Sequence, residues 1–257
     1  MIYNIVLCTM LVLAVVVFIA LFYFKAGYGF LSGGKWGPVI SNKTAWVLME
    51  APAFFVMVIM LARYVWAGDD RGGNVAVYVI AGMYLVHYFQ RSFIFPLLMR
   101  GNSKMPVAIM TMGMVFNCIN AWLLGQWLFV ECKEGAYAAD WFTSSWFIIG
   151  TLIFIAGMVI NLHSDYIIRH LRKPGDTAHY IPRKGMYKYV TSANYFGELL
   201  EWTGYALLSL SPAAFLFVIW TFANLAPRSK SLTEKYIAEF GEEYTKLGKK
   251  NLIPFIW

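Results

Sequence analysis

Six charged side chains stand inside stretches that are otherwise apolar: Glu50, Arg63, Arg91, Asp165, Glu198 and Glu201. Charge held at such places is costly, and it usually faces a protein interior or a wet cavity. Arg63 lies near the end of its stretch and reads as a side chain snorkelling to a polar boundary. Glu50, in Leu48-Met49-Glu50-Ala51-Pro52, has no Lys or Arg nearby, so its partner must come from another helix or from a ligand. The run His87-Tyr88-Phe89-Gln90-Arg91 places His87 and Arg91 four apart, on one helical face. Tyr88 is displaced from that face; its plain reading is an aromatic at the membrane boundary.

Two polar stripes follow. Asn161, Asp165 and Arg169 recur at steps of four, and Leu171-Arg172-Lys173-Pro174-Gly175 then ends the helix with its Pro and Gly. Asn194, Glu198, Glu201 and Tyr205 recur at steps of three or four. Two facing stripes beside a basic loop suit a pocket for a large, polar, anionic ligand. The plainer alternative is a hydrogen-bond network that ties the helices together. The run Gly27-Tyr28-Gly29-Phe30 and the later Gly33-Gly34 look like a phosphate-binding loop, but they follow a helix where the dinucleotide motif requires a strand. Motifs for a P-loop, a Gly-x-Ser-x-Gly elbow or a His-Glu-x-x-His zinc site do not occur, so hydrolase machinery is missing from the pattern.

The elements that must position these residues follow from composition. Of 257 residues, 60% are hydrophobic, 18% aromatic and only 14% charged, and the mean hydropathy is +0.58. A soluble domain carries about 25% charged residues, so that class is excluded, and disorder with it. The chain reads as an all-α polytopic membrane protein. Apolar stretches of the length a bilayer needs fall at 3–24, 45–66, 75–99, 106–130, 143–166, 191–209 and 212–226, the last short and starting after Pro212. Brief loops and the lack of repeats predict one domain, residues 1–257.

Loops 25–44, 100–105, 167–190 and 227–257 hold 17 of the 21 Lys and Arg. The alternate loops hold only Arg71 and Lys133, beside Asp69, Asp70, Glu131, Glu134 and Asp140. The positive-inside rule then puts the N-terminus outside and the C-terminal tail in the cytosol. The same rule accounts for the net charge of +7 without a nucleic-acid partner. No basic residue precedes Lys25, which favours a retained first span over a cleaved signal peptide. Cys8, Cys118 and Cys132 are odd in number and lack metal-type spacing, so neither a disulfide framework nor a metal site is expected.

At these residues the chain resembles the steroid 5α-reductase family, the animal type above all. The resemblance is densest over 143–206: Gly157-Met158, the Asn161 to Asp165 stripe, Leu171-Arg172-Lys173-Pro174-Gly175, Ile181-Pro182, Tyr189-Val190, Ala193-Asn194 and Glu201-Trp202-Thr203-Gly204-Tyr205-Ala206. His87-Tyr88-Phe89 with Arg91 and the closing Leu252-Ile253-Pro254-Phe255-Ile256 match too. Weaker similarity at Gly27-Tyr28-Gly29 and from Trp46 to Pro52 extends it over most of the chain. The resemblance implies a seven-helix, NADPH-dependent reductase of the carbon–carbon double bond of a 3-oxo-Δ4-steroid. It implies Glu50 and Tyr88 as the catalytic pair at the steroid ketone. It implies cofactor contacts from Asn161, Asp165, Arg172, Asn194, Glu198 and Tyr236. The chain departs from the family pattern at Met49, Leu232 and His179, where Gln, His and Tyr are usual.

The implied chemistry agrees with the residues. Hydride reaching the β-carbon of an enone sends negative charge to the distant carbonyl oxygen, where a donor such as Tyr88 would act like an oxyanion hole. The apolar substrate, a steroid or other lipid enone, would enter from the bilayer, and the cofactor from the basic face. Either the bacterial inner membrane or the endoplasmic reticulum would suit. Rival readings keep the fold and change the substrate to an enoyl thioester or polyprenol, or make the chain an isoprenylcysteine-type methyltransferase, which has no need of a Tyr/Glu pair aimed at a ketone. A transporter would show internal repeats and a midplane site, which the sequence does not.

Overall fold

The computed structural model describes residues 1–23, 36–68, 73–173, 176 and 178–257. Lys25, the glycine runs of 27–34, the charged residues 69–71 and the Pro-Gly pair 174–175 lie outside the described residues.

Each of the seven apolar stretches is helical. They form α1 (Ile2–Tyr23), α2 (Asn42–Trp66), α3 (Ala76–Phe89) with α4 (Phe95–Leu98), α5 (Val107–Gln126), α6 (Ser145–Arg169), α7 (Ala193–Ser209) and α8 (Pro212–Phe240), followed by the short α9 (Glu242–Thr245). A two-stranded antiparallel ribbon, β1 (Val39–Ser41) and β2 (Lys104–Pro106), pairs Val39 with Pro106 and Ser41 with Lys104. The molecule is an all-α membrane protein. Among the described residues, α1, α2, α5 continued to Glu131, and α6 are long and apolar enough to cross a bilayer. A helix of 25 residues is about 37 Å long at 1.5 Å per residue.

Two departures from the expected spans have physical causes. The third stretch is not one continuous α-helix: a π turn, Gln90–Ile94, separates α3 from α4. Pro96 has no N–H to return to the Ser92 carbonyl, so the turn ahead of it opens; π turns of this kind collect at functional sites. Arg91 and Ser92 are buried on it. The seventh stretch also runs past 226, because α8 continues through Pro227 to Phe240. Packing overrides the proline here: Ala223, Leu225, Ala226, Pro227 and Ser229 are all buried, and the Ser229 hydroxyl donates to the Ala226 carbonyl at 2.9 Å. The polar residues after 227 mark where the apolar layer ends, not where the helix does.

Helices α6 and α7 touch backbone to backbone. Gly150 and Gly157 on one face Gly204 and Gly197 on the other, the close approach that small residues permit between membrane helices. A Cβ on Gly157 would meet the Glu201 backbone nitrogen at 2.2 Å, and one on Gly204 would meet the Phe154 nitrogen at 2.3 Å. Backbone cannot step aside, so any side chain must push the helices apart. Gly157→Ala is expected to cost about 1–3 kcal/mol, as overpacking does. A lowered melting temperature of the purified protein would register it.

At the end away from the basic loops, the last carbonyls of α7 are met from outside the helix. The Trp141 indole donates to Leu208 at 2.9 Å and the Tyr137 hydroxyl donates to Ser209. These are the acceptors a helix end leaves orphaned. Leu210 then turns left-handed at φ 44°. Between this plug and the basic end lies an aromatic core around the fully buried Trp202, whose ring centroid is 4.5 Å from those of His87 and Phe217.

Candidate active site

A cavity of about 680 Å³ opens between α1, α2, the π turn, α5, α7 and α8. Its wall carries the rings of Trp46, Phe116, Phe217 and Trp220 together with the polar side chains of Arg91, Asn194, Tyr195, Glu198, Asn224 and Arg228. Glu50, His87, Tyr88 and Asn117 stand on the lining as well.

Helix α2 carries Glu50 just over two turns into its body, where Pro52 loosens the backbone. Tyr88 comes from the last turn of α3 and is 3% exposed, so it is not an aromatic at the membrane boundary. The Asn117 side chain on α5 joins the two: its amide nitrogen donates to Glu50 Oε2 at 3.2 Å and to the Met49 carbonyl at 2.8 Å, and its oxygen accepts from the Tyr88 hydroxyl at 3.4 Å. The Tyr88 ring also lies 4.5 Å from that of Tyr84 and 5.0 Å from that of His87. His87 Nδ1 is 2.7 Å from Glu201 Oε1, a fully buried pair beneath Tyr88.

Arg91 is the hub of the polar stripes. One end nitrogen is 3.2 Å from Asp165 Oδ2 and the other 3.6 Å from Glu198 Oε2. It packs against two rings that touch each other edge to face, 4.7 Å from the centroid of Trp46 and 4.3 Å from that of Phe95. Asn194 donates to Asp165 Oδ1 at 3.3 Å, and Asn161 donates to the Asn194 carbonyl at 2.9 Å. The two stripes therefore do face each other, and they are hydrogen-bonded together as well as to the cavity. The arrangement is an inter-helix network, and its members Asn194 and Glu198 also reach the cavity wall.

Arg172 and Tyr236 stand apart from that cavity lining, further toward the basic end. Arg172 is exposed just past α6. Tyr236 sits on the extension of α8 beyond its apolar stretch, its ring stacked on Tyr244 at 5.1 Å. Burial pushes the Tyr236 phenol up to about 12; neighbouring Tyr244 and Glu239 add to the rise, and the Arg172 guanidinium opposes it. The two residues are thus electrostatic neighbours. His179 is 2.6 Å from Glu239 and Arg183 is 2.6 Å from Glu243, which fastens the segment after α6 to α8 and α9.

Of the eight residues expected in the site, Glu50 and Tyr88 are joined through Asn117, Asn161, Asp165, Asn194 and Glu198 are joined around Arg91, and Glu50, Tyr88, Asn194 and Glu198 line the cavity. Asn117, Asn224 and Arg228 were not anticipated. The available signal for the first was Asn117 and Asn120, three apart in an otherwise apolar helix.

Comparison with known proteins covers the same ground. A family model described as 3-oxo-5-alpha-steroid 4-dehydrogenase matches residues 103–257. The human 3-oxo-5-alpha-steroid 4-dehydrogenase 1 is 42% identical over 218 residues, 85% of this chain and 81% of its own length. The mouse protein of that name is 38% identical over 244 residues, 95% of this chain and 92% of its own. Steroid 5-alpha-reductase DET2 of Gossypium hirsutum is 33% identical over 255 residues, 98% of this chain and 96% of its own.

Proposed function

Because the chain belongs to the 3-oxo-5-alpha-steroid 4-dehydrogenase family, we propose that it reduces the Δ4 double bond of a 3-oxo-Δ4-steroid to the 5α-reduced ketone, with NADPH as the reductant. The observation that supports this reading best is the coupling of Glu50 and Tyr88 through Asn117 on the wall of a cavity lined by both aromatic rings and polar side chains. A flat apolar ring system suits the rings of Phe116, Phe217 and Trp220, and the polar groups of a nucleotide suit the donors of Asn194, Asn224 and Arg228. The lining therefore fits a steroid beside a dinucleotide.

Bound NADPH supplies a hydride for the β-carbon of the enone. The protein's own work is electrostatic. As electron density moves to the ketone oxygen, the Tyr88 hydroxyl donates to it, and Glu50 holds the same oxygen or shares its proton. Asn161, Asp165, Asn194 and Glu198 hold the cofactor's polar groups, while Arg172 and Tyr236 receive its more exposed portion. In this reading all seven helical stretches cross the membrane as one domain, with the N-terminus outside and the basic end in the cytosol. The steroid then arrives from the bilayer and the cofactor from the cytosol.

Purified protein incubated with testosterone or progesterone should consume NADPH absorbance and yield the 5α-reduced steroid. No turnover with either steroid, under conditions where NADPH binds, would overturn the substrate assignment. NADPH at about 100 times its dissociation constant should stabilise the fold by about 2.7 kcal/mol. Arg172→Ala should shrink that gain, because a charge-assisted contact to phosphate is lost. An unchanged thermal shift would remove Arg172 from the cofactor site.

A further inference from the structure

We infer that Asn117 is a positioning residue for the reaction: it fixes the free oxygen of Glu50 and the hydroxyl of Tyr88 in one shared orientation. The inference rests on the reading of Glu50 and Tyr88 given above.

Three helices carry the three residues, and the amide of Asn117 links them. Its two N–H groups are both committed, one to the Met49 carbonyl at 2.8 Å and one to Glu50 Oε2 at 3.2 Å. A backbone carbonyl only accepts, so the amide cannot be reversed without setting two acceptors against each other. The nitrogen therefore faces α2 and the oxygen faces Tyr88. Occupying Oε2 leaves Oε1 as the carboxyl oxygen available to a ligand. The Met49 side chain has no N–H or O–H to donate; it packs where a Cβ on Gly113 would stand, 2.5 Å from the sulfur. The amide for this turn of α2 therefore comes from across the interface.

The bond to Tyr88 is long, at 3.4 Å, and so weak. It orients the hydroxyl without holding its proton tightly, and a ketone oxygen acquiring negative charge is the stronger acceptor. Asn117 is 5% exposed and on the cavity wall, so it keeps this geometry out of competition with bulk water. A purely structural role is the alternative: the bond to Met49 could simply tie α5 to α2.

The test uses the full chain in detergent with progesterone and NADPH. Asn117→Ala and the near-isosteric, apolar Asn117→Leu are compared with wild type for kcat, KM, NADPH affinity and melting temperature. A second series repeats both in the Tyr88→Phe background, with Glu50→Gln as a further control. A positioning residue should lower kcat by about 10²-fold, the loss that a 1 Å misplacement brings, with NADPH affinity unchanged. In Tyr88→Phe that loss should shrink to a few-fold, since the hydroxyl it orients is gone. Unchanged kcat with a lowered melting temperature would assign Asn117 to structure alone and overturn the inference. The same fold-loss in both backgrounds would also overturn it. Near-normal turnover in Tyr88→Phe and Glu50→Gln is a different result: it removes the reading of the pair itself.

Discussion

Tyr88→Phe should lower turnover by about 10²–10⁴-fold, the range that positioned proton donation contributes, and leave NADPH binding intact. The ring stays, with its contacts to Tyr84, His87 and Trp202, so packing changes little. Only the hydroxyl and its long bond to Asn117 are lost. Glu50→Gln should be comparably severe, because an amide cannot share a proton with the ketone oxygen in the same way. Its oxygen would accept from Asn117 in the place of Oε2, which leaves an NH2 where the carboxyl oxygen available to a ligand stood. The double variant should lose far less than the product of the two single losses, as residues acting as a unit do. Steady-state kcat with a separate NADPH titration decides the matter; turnover near wild type in Tyr88→Phe would end the proposed mechanism.

The largest loss of stability should come from Arg91→Met. The guanidinium is buried with Asp165 and Glu198, whose side chains are 6% and 20% exposed. Removing one partner of a buried ion pair leaves uncompensated charge and costs about 3–5 kcal/mol. Here two carboxylates lose the same cation, and the rings of Trp46 and Phe95 lose the guanidinium packed against them. Adding Asp165→Asn should restore part of the loss by neutralising one stranded carboxylate, so the double variant should melt above the single one. A single variant that melts with wild type would mean that the ion pairs contribute nothing to the fold.

The helices were legible because a bilayer demands apolar runs of set length, and that pattern survives without knowledge of any partner. Polar stripes were legible for the same reason: Asn161 and Asp165, or Asn194 and Glu198, repeat at local spacings. What joins the stripes was not. Arg91 meets Asp165 across 74 positions and His87 meets Glu201 across 114, and no local period encodes such distances. Glu50 could be seen to need a distant partner, yet Asn117 stood among apolar neighbours without announcing which helix it faced. The continuation of α8 past Pro227 was hidden because local propensity opposes it and only tertiary burial decides. In the π turn ahead of Pro96 the proline was visible, but the way the backbone would open around it was not.

The glycine contact between α6 and α7 also has a mechanical meaning. Two rods whose backbones touch at Gly150, Gly157, Gly197 and Gly204 have no compliant layer of side chains between them, so neither can slide or tilt without the other. They move as one stiff beam. Asn161, Asp165, Asn194, Glu198 and Glu201 are all mounted on that beam, and their mutual spacing is preserved through whatever breathing the surrounding helices undergo.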